Sequence, residues 1–166
     1  MKTLMLTGTS EVLVFEPRPD PIPPGGSLVR LRERVPMAAT VMIRKQAGGY
    51  RVKATWYTHE YGMMGPESFK ENVLSAQVDG LKVCAHKDMF ETEWADVNGT
   101  GKKVSFWMST PTPETWERLH VWVKYDDRPV YGLERPVEFE IIRLDADSQA
   151  AMRRFVVSLG QLEMAR

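Results

Sequence analysis

The chain holds a single cysteine, Cys84, among its 166 residues. A lone thiol makes no internal disulfide, so the fold is not a stapled secreted scaffold. It also excludes metal sites built on several thiolates. No apolar run approaches the ~20 residues of a membrane helix. The first eight residues, Met1 to Gly8, carry one charge and an apolar run too short for a secretory signal. The expected setting is therefore a reducing cytoplasm, with no membrane partner. Net charge is lacking as well, with 22 Lys+Arg against 22 Asp+Glu. A dedicated nucleic-acid binder draws its affinity from neutralising phosphates, so the balance argues against that partner.

Catalytic motifs are also missing. His59-Glu60-Tyr61-Gly62-Met63 begins like a zinc-protease helix, but Met63 stands where the second histidine belongs. Gly99-Thr100-Gly101-Lys102-Lys103 faintly resembles a phosphate loop, yet Asp96 replaces the first glycine and Lys103 the magnesium-binding hydroxyl. There is no Gly-x-Ser-x-Gly elbow and no Gly-x-Gly-x-x-Gly fingerprint. Nothing here calls for a cofactor. Asn98-Gly99-Thr100 is a glycosylation sequon, but Asn-Gly is also a favoured hairpin turn, and the turn is the reading we adopt.

What is present is a 43% hydrophobic chain patterned for strands. It reads as one domain over residues 1–166. Apolar and polar residues alternate over Tyr50–Thr58, Leu81–Ala85, Lys103–Ser109, Arg118–Asp126 and Val137–Ile142. Thr3–Leu6 and Val12–Phe15 flank Gly8-Thr9-Ser10 and suggest a short hairpin. Ser27–Arg34 and Met37–Arg44 suggest two further runs, and the chain turns at Gly48-Gly49. Residues 17–26 hold five prolines and must be extended, as a connector or an arm. Gly65-Pro66-Glu67-Ser68, followed by Phe69, Val73 and Leu74, suggests a short helix or an irregular loop. Over Asp147–Met164 the residues Met152, Phe155, Val156, Leu159 and Leu162 form one helical stripe, with Asp147 as its cap. The expected fold is mainly β: an antiparallel sandwich or open barrel with a C-terminal amphipathic helix.

Adjacent residues of a strand point to opposite faces. If Trp56, Phe106 and Val121 face the core, Tyr57, Trp107 and Trp122 face away from it. That second face is either covered by the helix or the proline arm, or is a platform for a protein or a glycan. Metal chemistry would rest on His86, Asp88 and His120, but histidines this far apart in sequence do not assemble a ligand set by themselves, and no metal site is assigned. Cys84 and His86 share a strand face at a spacing too long for a thiolate pair.

The zero net charge hides a polarity. Residues 1–60 hold 9 basic and 5 acidic side chains, and residues 61–100 hold 3 and 7. Arg30, Arg32 and Arg34 lead a basic stretch that would steer an acidic partner if nothing cancels it. The expectation is a non-catalytic interaction or assembly module, with a protein partner or self-association. Its candidate residues are Tyr57, Trp107, Trp122, Arg30, Arg32 and Arg34. The alternatives are a carbohydrate- or small-ligand-binding domain and a metal-dependent enzyme.

Overall fold

The computed structural model describes residues 3–18, 21–22, 24–26, 28–60, 68–78, 81–84, 89–92, 95–96, 103–111, 115–126 and 137–164. The first half is a meander of long strands: β1 (Thr3–Pro17), β2 (Val29–Gln46), β3 (Gly49–Glu60) and β4 (Ser68–Val78). Shorter strands follow: β5 (Leu81–Cys84), β6 (Met89–Thr92), β7 (Ala95–Asp96), β8 (Lys103–Ser109), β9 (Leu119–Asp126) and β10 (Val137–Leu144). Helix α1 (Ala146–Met164) comes last. The strands form one antiparallel sheet in the order β4-β3-β2-β1-β10-β9-β8-β6-β5, with β7 also on β8. The first strand pairs with the last, and the sheet curls until β4 comes within 8 Å of β7 and β8, Cα to Cα. This is the open-barrel form of the expected fold. With a single sheet, the sandwich alternative drops out.

The curl gives the sheet an inner face, and period-two alternation fills it. Leu4 and Leu6 of β1, Val52, Ala54 and Trp56 of β3, Phe106 and Met108 of β8, and Leu119 and Val121 of β9 are all buried in one cluster. Met152 and Phe155 of α1 belong to that same cluster. The helix therefore uses this part of its apolar stripe on the inner face, not on the aromatic second face. Trp116 reaches the cluster from a loop with φ of 56°, a left-handed conformation that costs a bulky residue roughly 1–3 kcal/mol.

Helix α1 is capped two residues earlier than the sequence suggests. Asp145, not Asp147, precedes its first residue, and the Gln149 amide donates to the Asp145 carbonyl at 2.9 Å. Thr7 of β1 clasps this end. Its amide donates to Ser148 Oγ at 2.9 Å and its hydroxyl to Asp145 Oδ2 at 2.6 Å, while the Asp145 amide donates to the Thr7 carbonyl. Asp145 thus directs its carboxylate to the sheet.

Three local expectations are corrected. Gly8-Thr9-Ser10 is no turn: β1 runs through it unbroken, with its pairing to β10 shifting between Thr9 and Ser10. Glycine is needed there for close approach, because a Cβ on Gly8 would collide with the Arg143 carbonyl oxygen and Ile141 Cγ2. The two runs around Pro36 are one 18-residue strand. Proline is accommodated because β3 pairs with β2 only from Thr40 onward, leaving one edge of β2 without a ladder at Pro36. Residues 68–78 are strand, not helix. Leu74, Ala76 and Val78 are buried at every second position, and ladder pairing with β3 overrides the helix-like spacing of Phe69, Val73 and Leu74. At the β2–β3 turn, Gly48 has φ of 82°, which other residues rarely adopt.

Candidate functional site

The outer half of the β1–β2 hairpin continues past the neighbouring ladders as a two-stranded ribbon, with Val12 and Val14 on its other face still buried. β10 pairs with β1 only at Gly8, Thr9 and Ser10, and β3 pairs with β2 only from Thr40 to Gln46. Ser10, a buried hydroxyl, donates to the Glu140 carbonyl at 2.7 Å where the β1–β10 ladder stops. From Glu11 to Val35 the ribbon is flanked by no other strand among the described residues. Arg18 and Leu28 close its described far end, with the Arg18 amide donating to the Leu28 carbonyl at 3.2 Å.

A bulge sets the ribbon's faces. Val14 pairs with Glu33 but Phe15 pairs with Leu31, so Arg32 is the extra residue. The skip puts Leu13, Phe15 and Leu31 on one face, where they remain 40%, 36% and 41% exposed. Ile22 and Leu28, toward the connector, are exposed too. The three candidate arginines lie on this ribbon, and each meets a carboxylate of the ribbon itself. Arg30 Nε donates to Glu16 at 2.8 Å, Arg32 to Glu33 at 3.3 Å, and Arg34 lies 3.5 Å from Glu11. Glu16 and Glu11 of β1, with Glu33 of β2 itself, thus neutralise a stretch that looks basic along the sequence. Exposed pairs of this kind stabilise the fold by no more than about 1 kcal/mol each.

Where the ribbon passes the neighbouring ladders, a groove of about 420 Å³ opens beside it. Leu13 and Phe15, Tyr57 and His59, and Glu140 and Ile142 line its sides. At its base Trp56 of β3 and Phe139 of β10 stack with ring centroids 4.8 Å apart and planes 6° from parallel. These strands are not neighbours in the sheet. The stack joins them beneath the ribbon.

Tyr57 is on this groove, and its hydroxyl donates to Glu71 Oε2 on β4 at 3.0 Å. That hydrogen bond, and then the negative charge of Glu71, hold the phenol above its ordinary value of 10.0. The neutral phenol is the form that folding favours. Its contribution is fully present below pH 10.0 and is lost as pH rises through the raised value. Glu71→Gln is expected to return the Tyr57 transition toward 10.0 in an alkaline absorbance titration; an unmoved transition would mean the carboxylate is not the cause.

Trp107 and Trp122 lie elsewhere, on the outer face of β8 and β9, as direct cross-strand partners. The next row of that face pairs Ser109 with His120 and His120 with Glu140. The His120 imidazole stacks on Trp122 with centroids 3.8 Å apart. Arg118 forms an ion pair with Glu140 beside it. The candidate residues therefore fall into two groups: Tyr57 and Arg34 on the groove with Arg30 and Arg32 along the ribbon, and Trp107 with Trp122 on the far strands.

His86 and Asp88 lie outside the described residues, as does the Asn98-Gly99-Thr100 sequon. Among the described residues no group of three His, Cys, Asp or Glu is placed to hold a metal ion. None of the described helices is long and apolar enough to cross a membrane. Sequence reasoning missed Leu13, Phe15, Leu31 and Phe139. The signal for the first two was Val12-Leu13-Val14-Phe15, an unbroken apolar run that a half-buried strand does not need. Alternation over Val137–Ile142 set Phe139 on one face with Val137 and Ile141, but nothing in the sequence pointed to Trp56 as its partner. Comparisons with protein-family models, curated proteins and solved structures return no match.

Proposed function

We propose that this chain is a non-catalytic assembly module that associates with a second copy of itself through the β1–β2 ribbon. The observation that carries this reading is the strip formed by Leu13, Phe15 and Leu31, apolar and exposed on an arm that no other described strand flanks. A contiguous exposed apolar patch is a feature of surfaces that bind another protein. The charge supports a copy as the partner. Residues 11–35 hold four acidic side chains (Glu11, Glu16, Asp20, Glu33) and four basic ones (Arg18, Arg30, Arg32, Arg34). A surface with equal numbers of both signs can face its own image without net repulsion, and the whole chain is neutral too.

Sedimentation over a concentration series tests this. The unaltered chain is expected to shift from monomer to dimer or higher species as concentration rises. Leu13→Ser with Leu31→Ser is expected to weaken association about a thousandfold, taking about 2 kcal/mol for each central apolar residue. Both side chains are exposed, so thermal stability is expected to change little. A chain that stays monomeric throughout, or a double variant that associates as well as its parent, would sink the proposal.

A further inference from the structure

We infer, resting on self-association through the ribbon, that the groove beside it takes the proline-rich arm of the second copy, with Arg18 of that arm set against Glu71. Residues 17–24 read Pro-Arg-Pro-Asp-Pro-Ile-Pro-Pro. A polyproline turn takes three residues, so Arg18, Pro21 and Pro24 fall along one edge of such an arm. All three are exposed, and Gly25, with φ of 76°, then turns the chain back toward Leu28. Five prolines fix five φ angles, so little backbone freedom is lost when the arm docks.

The groove offers the matching chemistry. Phe15 and Tyr57 stand along it, with the Trp56–Phe139 stack at its base. Aromatic walls are what proline-rich segments dock against. Two carboxylates of the lining are answered within the chain, Glu11 by Arg34 and Glu140 by Arg118. Glu71, at the Tyr57 rim, differs. Its carboxylate accepts from the phenol, a neutral group. Its ladder neighbours on that face are Thr55, Tyr57, His59, Phe69 and Val73, with no lysine or arginine. A negative charge in aromatic and apolar surroundings selects a basic residue among the prolines.

The register points to a second copy as the source of the arm. Leu13 and Phe15 flank Val14, and Ser10, at the inner end of the groove, is four residues before Val14, while Arg18 is four after it. A two-fold axis through the strip that lays the ribbons antiparallel carries the arm of each copy to the groove of the other, about 13 Å from the axis. Within one chain the arm leaves from the far end of the ribbon, which the Arg18–Leu28 hydrogen bond closes.

Charge exchange between copies tests this by sedimentation. Arg18→Glu sets two carboxylates against each other and Glu71→Arg sets two guanidinium groups, so each variant alone is expected to associate at least about tenfold more weakly. Mixed in equal amounts, the two variants make both contacts again across the pair, and association is expected to return to within about threefold of the unaltered chain. An arm lying in its own groove gives no such rescue. Pro21→Ala with Pro24→Ala, both at exposed positions, is expected to weaken association about tenfold by loosening the arm. That variant decides the matter if thermal melting shows either charge variant unfolded. The inference is overturned if the charge variants associate as well as the parent, if mixing them gives no rescue, or if the proline variant is unaffected. Any of those results beside a Leu13→Ser, Leu31→Ser variant that dissociates overturns the docking alone and leaves self-association standing; a parent chain that never associates overturns both.

Discussion

Gly8→Val is expected to destabilise the chain by about 3 kcal/mol, at the upper end of the cost of overpacking. At roughly 2–4 °C per kcal/mol for a domain of this size, the melting temperature falls by about 10 °C. Gly8 sits where β1 meets β10, opposite Leu144. A Cβ there would meet the Arg143 carbonyl oxygen, which belongs to the backbone of β10, and Cγ2 of the fully buried Ile141. Neither can swing aside as the end of a flexible side chain would. This seam joins the first strand to the last and holds the curl of the sheet. Gly8→Ala is expected to cost somewhat less than valine. Thermal melting of both variants checks the ordering, and an alanine variant as stable as its parent would show that the seam relaxes freely.

Trp56→Ala is expected to cost about 4 kcal/mol, the usual range for removing a large buried aromatic. Part of that, about 1 kcal/mol, is the parallel stack on Phe139 beyond simple burial. The loss has a further consequence, because the Trp56–Phe139 contact is the base of the groove and bridges two strands that share no ladder. Trp56→Phe keeps a flat ring over Phe139 and is expected to recover more than half of the stability. Denaturant melts of the two variants give the comparison. If phenylalanine is as damaging as alanine, ring stacking is not what holds β3 against β10.

The periodic signals were the legible part of this fold. Alternation over Tyr50–Thr58, Lys103–Ser109 and Leu119–Tyr125 placed Trp56, Phe106 and Val121 inward, because successive side chains of a strand take opposite faces whatever the sheet does later. The helix over Met152 and Phe155 was legible for the same reason at its own period. Local punctuation misled. Gly8-Thr9-Ser10 and Pro36 both read as breaks, but one is a close approach and the other lies where β2 lacks a second neighbour. The stretch Phe69–Leu74 fitted a helical spacing until β3 offered it six ladder partners, from Ala54 to His59.

The candidate site was legible residue by residue, not as an arrangement. Doublets such as Trp56-Tyr57 and Phe106-Trp107 announced an aromatic second face, yet only the ladder makes Trp107 and Trp122 neighbours and leaves Tyr57 beside Glu71. Arg30, Arg32 and Arg34 are adjacent in sequence to one acid, Glu33, but the fold brings Glu16 and Glu11 from β1.

By itself, then, the sequence determined the element types and the inward residues of most strands, along with the absence of disulfides and familiar catalytic motifs. These depend on neighbours within a few positions. The tertiary structure alone decided that the sheet is one curled layer, that the helix lies against its inner face, that the ribbon's charges cancel and that Trp56 meets Phe139. Each of those is a contact between residues distant along the chain, and local propensity carries no information about which distant partner a strand edge or a ring will find.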